Sequence, residues 1–257
     1  MWILLLVALS LILLFPRKFL FFLRVGYSFY FYPLFFLLIR VWTVKDPQTR
    51  WTSHSTWFCG VKLIELPGSS KIPSDRSIMF LGNHRNIADF VIHDSVTKFT
   101  ANYLSRALVG FAFPFMGIIS HMTGRCWYFV RGQSTKDLEQ FYVWLDKKFS
   151  FTENLRKHLI VYPEGHRNLK KEPLPLRTGM IRYAYLRKMP VQFFMCDGYD
   201  EVLNEKKLTA CFGTSIVKFK LFPLIDPKDF DTVEAFIDKI KIDFVESFYE
   251  VRKTTNK

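Results

Sequence analysis

Short apolar runs at residues 77–81, 126–130, 158–162, 190–195 and 216–222 constrain this chain more than any other feature. Each is too short for an ordinary helix and reads as a buried strand. Several stop abruptly at a turn-forming or charged residue, with Gly82-Asn83, Arg131-Gly132 and Pro163 as the clearest cases. Between the runs, residues 87–99, 134–149, 178–188 and 233–249 carry apolar residues at helical spacing, and Ser134 or Thr135 can cap the second of these helices. Strands alternating with helices predict an α/β fold, a mostly parallel sheet flanked by helices. In such open sheets ligands bind just beyond the carboxyl ends of the strands. Polar signatures follow the runs at 77–81, 126–130 and 158–162.

The first 42 residues obey another rule. Trp2 to Phe15 has no charge, Arg17 and Lys18 follow, and a second apolar stretch reaches Trp42 with only Arg24 and Arg40 charged. No basic residue precedes the first run and no small-residue cleavage pattern follows it, so a secretory signal is not indicated. A membrane span needs about 20 apolar residues. The expectation is a membrane anchor over 1–42, as one span from about Phe19 to Trp42 or as two helices lying in one leaflet. Arg24 and Arg40 would then snorkel toward the interface. The polar stretch 43–56 reads as a linker, and 57–257 as the main folded domain.

The formal charge of +13 points to a polyanionic partner: nucleic acid, an anionic membrane or a phosphorylated substrate. The basic residues form no single stripe, which argues against nucleic acid. Cys59, Cys126, Cys196 and Cys211 are widely spaced, with no CxxC pair. They read as reduced core residues, with no metal site, in a domain facing the cytosol.

The segment 83–89, Asn-His-Arg-Asn-Ile-Ala-Asp, holds His84 and Asp89 directly after a strand. On one ideal helix they would lie about 140° apart and never meet. They can meet if His84 sits in the turn and Asp89 in the following helix. The carboxylate then orients the imidazole as a general base. No serine or cysteine nucleophile is signalled beside them, which suits direct attack by a substrate hydroxyl. Tyr162-Pro163-Glu164-Gly165-His166-Arg167 ends another strand. There Gly165 permits close approach, and Arg167 can grip phosphate with two parallel N–H groups. Arg131 ends a third strand.

Together these stretches resemble the glycerolipid acyltransferase family, which contains the lysophosphatidate acyltransferases. Asn83, His84 and Asp89 match its Asn-His-x4-Asp block. Arg131 closes an apolar strand as its second block does, and 162–167 stands where the family has Phe-Pro-Glu-Gly-Thr-Arg. Met189-Pro190-Val191-Gln192 matches a fourth, proline-opened block loosely. His166 replaces the family's threonine and Gln192 an aliphatic residue, and both bear on headgroup preference.

The resemblance implies an acyl-CoA-dependent transferase that acylates lysophosphatidate or a related lysophospholipid at a membrane, that of the endoplasmic reticulum, without a cofactor. His84 and Asp89 would be the catalytic pair, and Arg131, Glu164, Gly165 and Arg167 would hold the acceptor. A glycerol 3-phosphate acceptor, or a non-catalytic adaptor that binds anionic lipid, are the rival readings. The run from Phe111 to Met116 is expected in the core or along an acyl pocket.

Overall fold

The computed structural model describes residues 10, 13–39, 46–130, 132, 137–152 and 157–255. Among them seven strands form one sheet: β1 (Val61–Glu65), β2 (Met79–Gly82), β3 (Ala101–Arg106), β4 (Cys126–Phe129), β5 (His158–Val161), β6 (Val191–Asp197) and β7 (Ser215–Ile225). Their order is β1-β7-β6-β2-β5-β3-β4. From β6 to β4 all neighbours are parallel, while β7 runs antiparallel to β6 and carries β1 parallel to itself at the edge. The expected mostly parallel α/β architecture is therefore the one that forms.

Successive residues of a strand point to opposite faces, and β6 shows what that demands. Val191, Phe193 and Met195 enter one core, and Phe194 and Cys196 the other. Both faces are covered, so the strand reads as a continuous apolar run rather than an alternating one. On the first face lie α7 (Leu138–Thr152), α8 (Gly179–Leu186) and α9 (Val233–Thr255), which supply Leu145, Tyr183, Phe236 and Phe244. On the second lie α3 (Pro47–Phe58) and α4 (Asp89–Val96), which supply Trp51, Val91 and Ile92. Burying each such side chain contributes on the order of 1.5–3 kcal/mol. The helix expected over 134–149 is α7; Ser134 and Thr135 fall outside the described residues.

Residues 47–58 correct the expected linker. They form α3, capped by Asp46, whose Oδ1 accepts from Thr49 N at 3.1 Å. Gln48, Trp51, Thr52 and Ser55 are wholly buried. The buried face is polar because it bonds to α4: Thr52 Oγ1 donates to Asp94 Oδ2 at 2.7 Å, and Thr56 Oγ1 to Val91 O at 2.9 Å. Hydropathy cannot register a face whose burial is secured by hydrogen bonds. β1 and β3 also escape a reading for apolar runs, each for its own reason. β1 is an edge strand with exposed residues, and β3 carries Asn102, buried with its Nδ2 on His158 O.

The apolar N-terminus is helical along α1 (Pro16–Val25), a π-helical turn (Gly26–Phe31) and α2 (Tyr32–Ile39). The π turn ends at Phe31, one residue before Tyr32-Pro33 begins the next helix's proline-bearing turn: Pro33 cannot donate an N–H, and Tyr32 N closes the π turn by bonding to Tyr27 O. Pro16 to Leu38 is long and apolar enough to cross a bilayer. One side nevertheless packs on the domain that holds the sheet, where Phe21 and Phe29 join its core and Phe36 is buried. Trp51 Nε1 donates to Ser28 O at 2.6 Å. Arg24, expected to snorkel, is 5% exposed instead, with Nη1 on Cys211 O at 3.0 Å. The opposite side is apolar and open, with Phe22, Phe31 and Leu38 exposed. Beside it stand α5 (Ala107–Ala112) and α6 (Pro114–Met122), joined to the π turn by the bond from Tyr30 Oη to Ala112 O at 2.7 Å. The run from Phe111 to Met116 divides here: Met116 is core, whereas Phe111 is 81% exposed.

Candidate active site

Three adjacent parallel strands, β6, β2 and β5, deliver the site from their carboxyl ends. His84 follows β2, Tyr162 to Arg167 follow β5, and Tyr199 follows β6. The crossing is tight. A Cβ on Gly82 would meet the Phe194 ring at 2.1 Å, so only glycine lets β2 end there. Asn83 then ties β2 to β6, donating from Nδ2 to Cys196 O at 2.8 Å and accepting from Cys196 N at 2.9 Å.

His84 sits in the turn and Asp89 opens α4, so the two meet as the spacing allowed: His84 Nδ1 lies 2.6 Å from Asp89 Oδ2. The same oxygen accepts from Arg85 N at 2.6 Å and Asn86 N at 3.3 Å. Asp89 is 1% exposed, whereas the His84 side chain is 23% exposed. Among the described residues none bonds to His84 Nε2, which leaves that nitrogen for a ligand. Burial by itself would raise the Asp89 carboxyl; His93, His84 and the Arg85 N–H outweigh it and hold the group below the ordinary carboxylate range. His93 is itself lowered to about 4 by burial.

A layer of aromatic and polar groups lies under the pair. The Tyr162 ring stacks on the His84 ring, with centroids 4.1 Å apart and planes 10° from parallel. Tyr162 Oη lies 2.9 Å from His93 Nδ1, and His93 Nε2 lies 3.4 Å from Tyr199 Oη. His93 is fully buried. His93 is a member of this layer that sequence reasoning missed. Its one signal is its place four residues after Asp89, on the same face of one helix.

The second predicted stretch is joined to the first by Asn168 N, which donates to His84 O at 2.7 Å. Glu164 turns inward at 1% exposure. Its Oε2 accepts from Asn168 Nδ2 at 2.6 Å and Leu174 N at 2.8 Å, while its Oε1 is buried with no partner among the described residues. Gly165 has φ +76°, a conformation that favours glycine, and the Arg177 side chain lies against it. Arg167 pairs with Glu205 and lines a hollow of about 290 Å³ together with Arg85, Asn204 and Lys206. Arg85, buried at 3% exposure, holds Asp200 and Lys170 O, so it braces the loops after β5 and β6. Sequence reasoning missed Arg85, Glu205 and Arg177. Arg131 lies outside the described residues. Gln192 sits at the opposite end of β6, where its Nε2 donates to Phe222 O at 2.9 Å, so it is a clamp between strands.

No described thiol competes as a nucleophile beside the pair. Burial pushes Cys196 well above the usual thiol range, Cys59 to about 11 and Cys126 to about 12.

A family model described as acyltransferase matches residues 63–195. The span runs from β1 through β6 and contains every predicted site residue. A comparison with curated proteins returns no match. Among solved structures, the chain is similar to the 1-acyl-sn-glycerophosphate (LPA) acyltransferase PlsC from Thermotoga maritima, with a TM-score of 0.65 and 16% identity. The similarity covers 93% of this chain and 95% of that chain. At that identity it establishes a shared fold.

Proposed function

Because the chain belongs to the acyltransferase family, we propose that it transfers a fatty acyl group from acyl-CoA to the free hydroxyl of lysophosphatidate or a related lysophospholipid. The observation that carries this reading is the pair His84–Asp89, bonded at 2.6 Å with His84 Nε2 open. Asp89 accepts the Nδ1 proton, so the lone pair sits on Nε2. Nε2 takes the proton of the acceptor hydroxyl as its oxygen attacks the thioester carbonyl. Asp89 stabilises the imidazolium. Collapse of the tetrahedral adduct breaks the carbon–sulfur bond, and the departing CoA thiolate receives the proton from Nε2. No acyl-enzyme forms, in keeping with the raised thiols.

In this reading Arg167 exchanges Glu205 for the acceptor's phosphate and the Gly165 turn flanks it, with Arg131 assigned to the same acceptor by the family resemblance alone. Glu164 Oε1, buried without a partner, accepts a glycerol hydroxyl. The open side of α1, the π turn and α2 lies in one leaflet, with Phe111 beside it, and brings the site to lipid-borne substrates. A helix docked lengthwise on the domain favours this in-plane arrangement over a free-standing span. The four cysteines are unpaired, which supports a cytosol-facing domain, as on the endoplasmic reticulum.

The test uses purified full-length protein, labelled oleoyl-CoA or oleoyl-acyl-carrier protein as donor, and a panel of lysophospholipids and glycerol 3-phosphate. Transfer from oleoyl-CoA to lysophosphatidate, abolished in His84→Ala, is expected. Vesicle binding without transfer from either donor would establish the adaptor instead.

A further inference from the structure

The catalytic imidazole is constrained from a second direction, which the His84–Asp89 bond alone does not explain. A single hydrogen bond pins one ring atom and leaves the plane free to librate. The plane decides where the Nε2 lone pair points. Tyr162 covers the face of that ring at 4.1 Å and 10°, so it removes the remaining freedom. Tyr162 is in turn fixed by His93, 2.9 Å from its hydroxyl. His93 is held by Tyr199 at 3.4 Å and by the edge of the Phe194 ring at 4.7 Å. Tyr199 O accepts from Asn86 Nδ2 at 2.8 Å, which returns the chain of contacts to the turn bearing His84.

Packing alone would not demand these groups. A hydroxyl and an imidazole buried together cost free energy unless they satisfy each other. Phenylalanine and leucine would fill the same space without that requirement. Tyr162 supplies a hydroxyl where the resembled block has phenylalanine, and that hydroxyl meets His93. We propose that Tyr162 and His93 are positioning residues for His84: the Tyr162 ring sets the imidazole plane, and His93 sets the Tyr162 ring. Neither touches substrate. The inference rests on His84 being the general base. Small misplacements of a reacting group can cost about 10²-fold in rate.

The experiment is steady-state kinetics in donor and acceptor, with thermal unfolding as a check on folding. Loss of transfer in His84→Ala, against an active wild type, secures the underlying reading independently. Tyr162→Leu is expected to lower kcat by about 10²-fold, with both KM values within about 2-fold of wild type. Tyr162→Phe keeps the stack and loses the anchor, so kcat should fall by roughly 10-fold. His93→Leu should match it. The double variant Tyr162→Phe/His93→Leu should be no slower than either single variant, because each removes the same contact. His93→Gln, which can still bond the tyrosine, should recover to within about 3-fold of wild type; it also serves if His93→Leu does not fold. Full kcat in Tyr162→Leu would overturn the proposal. So would single losses that multiply in the double variant, or losses expressed in KM rather than kcat.

Discussion

At the scale of single residues, the site is a set of exchanges among charges already in place. Asp89 is buried and held ionised by what it bonds, so Asp89→Asn should keep the fold and lose the correct imidazole orientation. The expected drop in kcat is about 10²- to 10⁴-fold, the range of general base catalysis; a drop below 10-fold would remove Asp89 from the mechanism. Arg167 is engaged by Glu205 in the free protein, so under the proposed function the acceptor's phosphate competes with an internal carboxylate. Glu205→Gln should therefore lower the acceptor's apparent KM several-fold. Arg167→Lys keeps charge but loses the planar fork, and should raise that KM by about 10-fold. Kinetics with lysophosphatidate at fixed oleoyl-CoA separates the two variants, and opposite signs are the signature to look for. Equal effects on the donor's KM would move Arg167 out of the acceptor site.

At the scale of elements, α3 joins the N-terminal helices to the catalytic sheet. Trp51 is fully buried, donates to Ser28 O, and packs near Phe29 and Phe90. Trp51→Ala should cost about 3–5 kcal/mol, read as a lowered denaturation midpoint in detergent; a change under about 1 kcal/mol would show that the N-terminal helices dock weakly. A chain truncated to begin at Ser53 would lose Gln48, Trp51 and Thr52 together, so it cannot test the anchor without damaging the core. The anchor is better tested in the full-length chain. Phe22 and Phe31, 58% and 61% exposed on the open side, can become aspartate without disturbing the docked side. Phe22→Asp/Phe31→Asp should reduce co-flotation with phospholipid vesicles by at least about 10-fold. Undiminished flotation would assign the anchor to the apolar run before Phe15.

At the scale of the whole molecule, buried histidines set the response to acid. Burial lowers His93 and His158 to about 4 from an ordinary 6.5, with Lys157 adding to the effect on His158. Between those values the unfolded chain binds protons that the folded one refuses, so stability falls as pH drops from 6.5 toward 4 and is complete above 6.5. Each histidine can withdraw on the order of 3 kcal/mol by pH 4. The lowered Asp89 carboxyl acts in the same direction at still lower pH. Thermal unfolding between pH 7 and 4.5 should show a steep fall, and His158→Gln should flatten it by about half. An unchanged slope in that variant would return the acid sensitivity to the carboxylates.

How much of this was legible follows from what each signal depends on. Strands β2, β5 and β6 announce themselves because a strand covered on both faces must be apolar throughout. His84, Asp89 and Arg167 stand out because they lie just after strand ends, where ligands bind in open α/β sheets. Those are local constraints, and the amino-acid sequence by itself determined them, together with the mostly parallel sheet and the apolar N-terminus. Helix α3 was hidden because its buried face is polar, and polarity is acceptable in a core only when partners such as Asp94 and Val91 O arrive from elsewhere in the chain. The Tyr162–His93–Tyr199 layer was hidden for the same reason, since its members come from the turn after β5, from α4 and from the turn after β6, and become neighbours only when those elements pack side by side. Arg24 reads as a snorkelling charge until the loop at Cys211 brings it a carbonyl. Tertiary structure alone decided which charges are satisfied internally and which stay open to a ligand, because hydrogen bonds and ion pairs depend on distances that the order of residues does not contain.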